Sequence, residues 1–241
     1  MSAPPAGTLP AAQVREMFDR IAPRYDLLNR AMTAGLDGRW RRAAAAAADL
    51  AAGDRALDVC TGTGDLALEL AYRTTGSGEA VGVDFSQRMI ALARAKAARR
   101  GSPATFRVAD ALALPYADGA FDAATVAFGI RNVADLDAGL AEMARVVRLG
   151  GRVVVLEITT PARLRRFYGL WFDRVVPRLG RVLGRDGAAY AYLPASVRRF
   201  PEPPELAARM AAAGLEEVRW RGLAGGIVAL HHGRVAARGQ R

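Results

Sequence analysis

Residues 55–70, RALDVCTGTGDLALEL, decide the fold of this chain of 241 residues. They begin as a short apolar run, pass through a loop that contains Gly62 and Gly64, and continue with apolar residues at helical spacing. A strand, a tight glycine loop and a helix in this order open a nucleotide-binding βαβ unit. Because neither glycine carries a Cβ atom, the loop can turn sharply and approach a ligand closely.

An acidic residue follows at an informative distance. Residues 80–83 form a second apolar run, which ends at Asp84, twenty residues after Gly64. In nucleotide-binding βαβ units, an acid at about this distance accepts hydrogen bonds from the hydroxyls of a ribose. We therefore predict a site for an adenosine-bearing cofactor, with Gly62, Gly64 and Asp84 in contact with it.

Two cofactor classes fit this unit. Residues 62–67, GTGDLA, match the dinucleotide pattern G-x-G-x-x-A, so a nicotinamide-dependent oxidoreductase is one alternative. Asp65 at the predicted helix N-terminus would face a pyrophosphate there, and Asp58 adds a second carboxylate. Two acids favour S-adenosylmethionine, which carries an ammonium, a sulfonium and a ribose. The structural alternatives are that Asp65 only caps its helix and that Asp58 is a solvated strand end.

Strand and helix patterns alternate along the rest of the chain. Apolar runs predict strands at residues 55–60, 80–84, 105–110, 121–128 and 152–158, with helices at 65–73, 86–100 and 135–147 and a closing pair of strands at 217–223 and 227–231. This alternation predicts an α/β fold with a doubly wound, mostly parallel sheet. We expect one domain over residues 13–233, with N-terminal helices interrupted at Pro23, a disordered tail at 1–12 and a C-terminal tail at 234–241.

The ends of the later strands supply further site candidates, because ligands of such sheets bind at the carboxyl ends of strands. Asp110 and Ala111 follow the third strand and are placed to contact an adenine, although Asp110 could simply start a turn. Arg131 and Asn132 follow the fourth strand. A cation there lowers the pKa of a substrate hydroxyl, so both are catalytic candidates. The alternatives are a surface arginine and a helix-capping asparagine.

Composition limits the partners and the compartment. A net charge of +10 suits an anionic membrane surface, nucleic acid or solubility alone. We see no appended RNA-binding module and expect no nucleic-acid partner. Cys60 is the single cysteine, which excludes an internal disulfide and suits a reducing compartment, and the two histidines form no metal cluster with it. We expect no metal, and without a signal peptide or a long apolar run we expect a cytoplasmic protein.

Residues 163–185 combine arginines with aromatic and aliphatic side chains. A basic amphipathic segment of this kind is typical of membrane-surface contacts. The alternative is a lid helix that packs on the domain and exposes its arginines to water. The two interpretations are compatible, and we predict a lid or membrane-facing segment over residues 163–200.

Several blocks in order along the chain carry a family resemblance. They are residues 17–26 (MFDRIAPRYD), 61–65 (TGTGD), 128–133 (FGIRNV), 190–194 (YAYLP) and 225–231 (GGIVALH). With these blocks the chain resembles the ubiquinone/menaquinone biosynthesis C-methyltransferase family from about residue 14 to 233. The resemblance implies a seven-stranded, Rossmann-like sheet and S-adenosylmethionine as methyl donor. It also implies C-methylation of a polyprenyl quinol, either demethylmenaquinol or a methoxy-benzoquinol of ubiquinone biosynthesis.

The resemblance also implies roles for single residues. The cofactor contacts of the family fall on Thr63, Asp84, Asp110 and Ala111, and a further contact falls on Ala127, where relatives often carry serine. We expect Tyr25, Tyr190 and Tyr192 to shape a pocket for the quinol ring beside Arg131 and Asn132. The implied partners are a membrane-embedded quinol and the anionic inner face of the membrane, and a homodimer is left open.

Overall fold

A computed structural model describes residues 9–160 and 187–236, with the backbone alone for residues 187–191. Its helices are α1 (Ala11–Ile21), α2 (Tyr25–Thr33), α3 (Asp37–Ala47), α4 (Asp65–Arg73), α5 (Gln87–Arg100), α6 (Leu136–Val146), α7 (Gly187–Arg199) and α8 (Pro203–Ala212). Its strands are β1 (Arg55–Val59), β2 (Glu79–Asp84), β3 (Thr105–Val108), β4 (Phe121–Ala127), β5 (Val147–Ile158), β6 (Leu215–Leu223) and β7 (Val228–Val235).

The strands form one seven-stranded sheet in the order β3-β2-β1-β4-β5-β7-β6. Strands β1 to β5 are mutually parallel, whereas β7 runs antiparallel to both β5 and β6. This confirms the predicted doubly wound, mostly parallel sheet. Because the strand order reverses between β1 and β4, a crevice opens beyond their carboxyl ends, where such sheets bind ligands.

Helices cover both faces of the sheet, so its central strands are buried on both sides, as parallel strands usually are. One face packs against the alanine-rich α3 and against α4 and α5, through side chains such as Leu70 and Ile90. The other face packs against α6 and α8, through Met143 and Met210. The two layers hold the strand ends at fixed positions beside the crevice.

Local signals in the sequence place the turns. The Ser86 hydroxyl accepts a hydrogen bond from the Met89 N–H at 3.0 Å and caps α5, which ends at Gly101 in the left-handed conformation. Gly64 precedes α4 with φ 88°, and a Cβ atom there would lie 2.8 Å from the ring of Phe106. Glycine at this position is therefore required by both its backbone conformation and the close approach of the ring.

Some predicted boundaries differ from those observed. Helix α1 begins at Ala11, inside the predicted N-terminal tail, and β7 continues to Val235. Strand β5 begins at Val147, earlier than predicted, because residues at the end of α6 pass directly into extended backbone beside Phe121. As predicted, the N-terminal helical segment is interrupted at Pro23, which lies in a 3-10 turn between α1 and α2.

Much of the predicted lid or membrane-facing segment lies outside the described residues, and α7 belongs to its described remainder. Across residues 9–160 and 187–236, no helix is both long and apolar enough to cross a bilayer. The same ranges contain no group of three or more acidic, histidine or cysteine side chains arranged to hold a metal ion.

Candidate active site

Two cavities lie at the carboxyl ends of the strands. The strand-end cavity, of about 110 Å³, is lined by residues that follow β1 to β4, among them Gly62, Asp84, Asp110, Ala111 and Gly129. The helical cavity, of about 330 Å³, is lined mainly by apolar side chains of α1 to α3, including Met17, Ile21, Leu28, Met32 and Trp40. Each cavity therefore draws on a different part of the fold.

Asp84 is the buried carboxylate of the strand-end cavity. One of its oxygens accepts from the Gly62 N–H at 2.9 Å, and the other accepts from the Ser86 N–H at 2.9 Å. Burial raises the pKa of Asp84 to about 6. Each carboxylate oxygen has two acceptor sites, so the group can hold the glycine loop and still accept from ligand hydroxyls.

Asp110 and Ala111 line the same cavity, and their contact with an adenine stays a prediction. One oxygen of Asp110 accepts from the Leu112 N–H at 2.9 Å, so the residue also stabilises a turn. The predicted adenine contact and the turn are thus compatible. Cys60 lines the cavity as well, and burial raises the pKa of its thiol, which keeps the thiol protonated and inert as a nucleophile.

Asp58 is buried and directly precedes Val59, which lines the strand-end cavity. Its carboxylate is 1 % exposed and accepts from the hydroxyls of Thr61 at 2.6 Å and Thr125 at 2.9 Å. Burial raises its pKa to about 7. Interpretation of Asp58 as a solvated strand end is therefore wrong. Asp58, Thr63, Gly64 and Ala127 are absent from the described lining of the strand-end cavity, so their predicted cofactor contacts stay predictions.

A buried lysine is the common partner of Asp65 and Thr63. Lys96 on α5 contacts Asp65 at 2.8 Å, Asp26 of α2 at 2.6 Å and the Thr63 hydroxyl at 2.9 Å. Asp65 makes no capping hydrogen bond, because Gly64 occupies the cap position, so the capping alternative is wrong. Burial opposes ionisation of Asp26, but hydrogen bonds from Lys96 and Thr63 hold its pKa below the usual value.

This lysine also weakens one argument from the sequence. The carboxylate of Asp65 was expected to repel a pyrophosphate at the start of α4, yet Lys96 compensates its charge. The case against a dinucleotide therefore depends less on Asp65 than the sequence suggested. Lys96 instead joins the N-terminal helices to the glycine loop, a role that the sequence pattern did not reveal because the partners are far apart along the chain.

Arg131 and Asn132 line the helical cavity. The Arg131 guanidinium donates to Glu157 at 2.6 Å and to the Phe128 carbonyl at 2.6 Å, and the Glu157 side chain is 1 % exposed. Burial raises the pKa of Glu157 although Arg131 opposes the shift. Arg131 is thus a buried, paired cation, and its interpretation as a surface arginine is wrong. Asp135, not Asn132, caps α6.

A second ion pair faces the helical cavity, and the sequence analysis missed it. Arg41 donates to Asp37 at 2.6 Å, and both side chains are 11 % exposed. The Arg41 guanidinium lies 5.3 Å from the centroid of the Phe128 ring, within cation–π range. The available signal was the spacing of Asp37 and Arg41 at i and i+4 on one helix, which does not by itself indicate a cavity.

Four side chains line both cavities and form what we term the shared wall: Phe18, Tyr25, Phe128 and Asn132. Phe128 has φ 60°, an uncommon backbone conformation for an aromatic residue that is associated with functional sites. The next residue, Gly129, admits no side chain, since its Cβ would lie 2.4 Å from that of Cys60. The ends of β1 and β4 therefore meet closely at this wall.

The predicted tyrosines have different positions. Tyr25 belongs to the shared wall, and burial raises the pKa of its hydroxyl. Tyr192 lines the helical cavity, and its contact with a quinol ring stays a prediction. Tyr190 lies within α7, but its side chain is outside the described residues. The buried Oδ1 atom of Asn132 has no hydrogen-bond partner in the described part of the chain, so it can accept from a ligand.

A comparison with known protein families decides the affiliation. The model of the ubiE/COQ5 methyltransferase family matches residues 8–235. The chain belongs to the ubiE/COQ5 methyltransferase family. The chain is 52% identical over 219 residues to demethylmenaquinone methyltransferase of Thermus thermophilus, covering 90% of this chain and 99% of the relative. It is 48% identical to the ubiquinone/menaquinone biosynthesis C-methyltransferase UbiE of Geobacter sulfurreducens, covering 92% and 88%.

A solved structure supports the fold of this ubiE/COQ5 family member. The [4+2]-cyclase SpnF matches with a TM-score of 0.71 and 21% identity, covering 95% of this chain and 97% of its own. At this identity the likeness concerns the fold alone. The family resemblance stated from the sequence is confirmed, and so is the seven-stranded methyltransferase-type sheet.

Proposed function

We propose that this protein transfers a methyl group from S-adenosylmethionine to a ring carbon of a polyprenyl quinol, converting demethylmenaquinol to menaquinol. One observation carries the proposal. The strand-end cavity, which contains the buried carboxylate of Asp84, lies across the shared wall from the largely apolar helical cavity with its two paired arginines. Membership of a methyltransferase family and the names of the two relatives support it.

The residues of the strand-end cavity suit the donor. We assign the ribose hydroxyls to Asp84 and the adenine to Asp110 and Ala111, and we keep Gly62, Gly64, Thr63, Asp58 and Ala127 as further or indirect contacts. When bound, S-adenosylmethionine supplies an electrophilic methyl group on a sulfonium. The aromatic side chains Phe18, Tyr25 and Phe128 exclude water from the place where that group meets the acceptor.

The helical cavity suits the acceptor. Carbon methylation needs an electron-rich ring carbon, and ionisation of a neighbouring hydroxyl raises the electron density there. Arg131 donates hydrogen bonds beside the shared wall and stabilises the ionised oxygen, while Asn132 orients the ring. Holding the ring carbon in line with the donor supplies much of the rate, so Tyr25 and Tyr192 act by positioning the ring.

A direct assay tests this proposal against its alternatives. Purified protein is incubated with S-adenosylmethionine and short-tailed demethylmenaquinol, or with a methoxy-benzoquinol that lacks the ring methyl, and products are measured by mass spectrometry. We expect methylation of the naphthoquinol with higher kcat/KM. Faster methylation of the benzoquinol would favour the ubiquinone alternative. Calorimetric binding of NAD(H) without binding of S-adenosylmethionine would favour an oxidoreductase, which the family affiliation disfavours.

We further propose that the protein docks on the anionic cytoplasmic face of a membrane to reach its lipid-tailed substrate. Leu36 lines the helical cavity and is 37% exposed, and Leu27 on the preceding helix is 60% exposed. The exposed arginines Arg30, Arg39 and Arg42 lie on the same helices. Basic residues near an anionic leaflet contribute about 1 kcal/mol each. The predicted basic segment at residues 163–185 lies outside the described residues and stays a prediction.

Vesicle sedimentation tests the docking. We expect binding to vesicles that contain phosphatidylglycerol, weak binding to pure phosphatidylcholine, and reduced binding after Leu27→Ser with Leu36→Ser. Leu149→Ser is the matched control, because Leu149 is also 60% exposed but lies near the start of β5, away from the carboxyl ends of the strands. Equal loss with the control, or no preference for anionic vesicles, would contradict this proposal.

A further inference from the structure

Arg41 is a buried cation in a cavity whose other lining is largely apolar. A guanidinium has five N–H donors, and within the described residues Asp37 is the one hydrogen-bond acceptor that Arg41 uses. The other N–H groups of Arg41 are therefore available to a ligand of the helical cavity. Because burying an ion pair is costly, the pair of Arg41 with Asp37 does not by itself indicate a gain in stability.

The position of Arg41 relates it to the methyl-transfer step. Its guanidinium carbon lies 5.3 Å from the centroid of the Phe128 ring, which belongs to the shared wall. The preceding residue, Trp40, packs edge-on against the same ring, with 6.2 Å between centroids. Helix α3 thus brings a cation and an indole against the acceptor side of the wall.

Asp37 has a weaker second contact besides its ion pair with Arg41. The single hydroxyl proton of Thr33 is shared between the Asn29 carbonyl at 2.7 Å and the Asp37 carboxylate at 3.2 Å. The Asn29 side chain is in turn hydrogen-bonded to Tyr25 of the shared wall. The ion pair with Asp37 and the contact with Phe128 hold the guanidinium beside the wall, which is the requirement for positioning a rigid ring.

The proposed acceptor has two ring oxygens, on opposite sides of the ring. The oxygen beside the unsubstituted carbon activates that carbon, and the other oxygen does not. A ring anchored at one oxygen can still rotate, whereas two anchors determine which carbon faces the donor. The helical cavity contains two cations that different elements hold in place. Arg131 follows β4 and is paired with Glu157 of β5, and Arg41 is paired with Asp37 on α3.

We propose that Arg41, held by Asp37, is a positioning residue that binds one ring oxygen of the quinol, while Arg131 binds the other. This inference rests on the proposed function and extends it to the orientation of the substrate. Polar groups that enter an apolar cavity need partners, so loss of the Arg41 contact leaves one quinol oxygen unpaired and the ring less well oriented.

The first experiment compares Arg41→Met with Arg99→Met, a change at an exposed arginine in the last turn of α5. Donor affinity is measured by calorimetry. Acceptor affinity is measured from quenching of Trp40 fluorescence, after Trp171→Phe and Trp220→Phe in all variants. We expect Arg41→Met to raise the KM and the dissociation constant for demethylmenaquinol by about tenfold to one-hundredfold, with donor affinity unchanged. Arg99→Met should match the parent protein.

A double variant separates positioning from packing. Asp37→Asn with Arg41→Met leaves no unpaired buried charge, so it restores stability lost in either single variant. We expect the acceptor affinity of the double variant to stay low and Arg41→Lys to recover part of it. We also expect the acid limb of the kcat/KM profile to move to higher pH in Arg41→Met, because loss of the cation at one quinol oxygen also disfavours ionisation of the hydroxyl that Arg131 stabilises.

Wild-type acceptor affinity and an unchanged pH profile in Arg41→Met would overturn the proposal. Recovery of full acceptor affinity in the double variant would also overturn it, since Arg41 would then act only through packing. Failure of the proposed function has a different signature, because the parent protein itself would methylate no quinol. The two results are therefore distinguishable.

Discussion

The strand-end cavity and the helical cavity are built in different ways. The first is lined mostly by short loops directly after parallel strands, with the carboxylates of Asp84 and Asp110 and close backbone at Gly62 and Gly129. The second is lined mainly by α1 to α3, with apolar side chains around two paired arginines. Under the proposed function the sheet provides the site for the donor, and the N-terminal helices provide the site for the acceptor.

The largest expected effect concerns Asp84, which lines the strand-end cavity and not the helical cavity. Replacing Asp84 by Ala removes the proposed acceptor of charge-assisted hydrogen bonds from the ribose, and each such bond is worth about 1.5–3 kcal/mol. We expect donor affinity in calorimetry to fall by about a thousandfold and acceptor affinity to change little. Glu216→Ala, at an exposed acid of β6, is the control. Equal donor affinity in the two variants would place the donor elsewhere.

The next effect concerns Arg131 in the helical cavity. Arg131→Met should lower kcat for quinol methylation by about a hundredfold, because the stabilising cation is lost from the transition state. The single variant also leaves Glu157 buried without its partner, at a cost of about 3–5 kcal/mol in stability. Arg131→Met with Glu157→Gln removes both charges. If this double variant folds and recovers full activity, Arg131 has only a structural role.

A third effect depends on pH and on Asp58. Its pKa is about 7 in the folded protein against an ordinary 3.8, so the folded state binds the proton more tightly than the unfolded state. The contribution of this group to stability is therefore highest below about pH 4, falls by at most about 1.4 kcal/mol per pH unit up to about pH 7, and is then constant.

Unfolding by denaturant at several pH values checks this sign. The free energy of unfolding of the parent protein should decline relative to that of Asp58→Asn between about pH 4 and pH 7. A rise of the parent relative to the variant over this window would mean that Asp58 is stabilised as an anion. That outcome would favour a direct contact between Asp58 and a cationic ligand group over a supporting role.

The smallest effect tests the connection between the two regions. Lys96→Met removes the cation that joins Asp26 of α2 to Asp65 of α4. Because both acids are partly exposed, we expect a loss of about 1 kcal/mol in the free energy of unfolding and a weaker donor affinity. Arg100→Met is the control, since Arg100 lies 3.9 Å from Asp65 at an exposed position. No difference between the two variants would contradict the connection.

The sequence predicted the strand-end cavity better than the helical cavity for a physical reason. The unit formed by β1, α4 and β2 occupies about thirty consecutive residues. A glycine loop and acids at the strand ends indicate this unit directly in the sequence. The placement of Asp84, Asp110 and Ala111 in one cavity follows from the parallel sheet. The lengths of β3 and β5 were less predictable, because pairing with neighbouring strands decides where extended backbone begins and ends.

The partners of the charged residues could not be predicted. Glu157 meets Arg131, and Lys96 meets Asp65, only after the strands and helices have packed. Asp65 was therefore assigned a cap or a repulsive role, although a distant lysine compensates it. Arg41 resembled any arginine of a basic helix until the fold placed it beside Phe128. Periodicity gives the buried face of an element, but the partner across a cavity depends on tertiary packing.

The aromatic side chains that α1 and α2 contribute to the strand-end cavity have a kinetic consequence. Phe18 and Tyr25 line this cavity, and their helices are held by a hydrogen bond from Ser86 to Asp19 and by the ion pair of Lys96 with Asp26. Under the proposed function, an acceptor bound beneath the same helices would block the exit of the donor product from this cavity. Turnover should then follow a compulsory order in which S-adenosylmethionine arrives first and S-adenosylhomocysteine leaves last, so the spent product should compete with the sulfonium substrate alone.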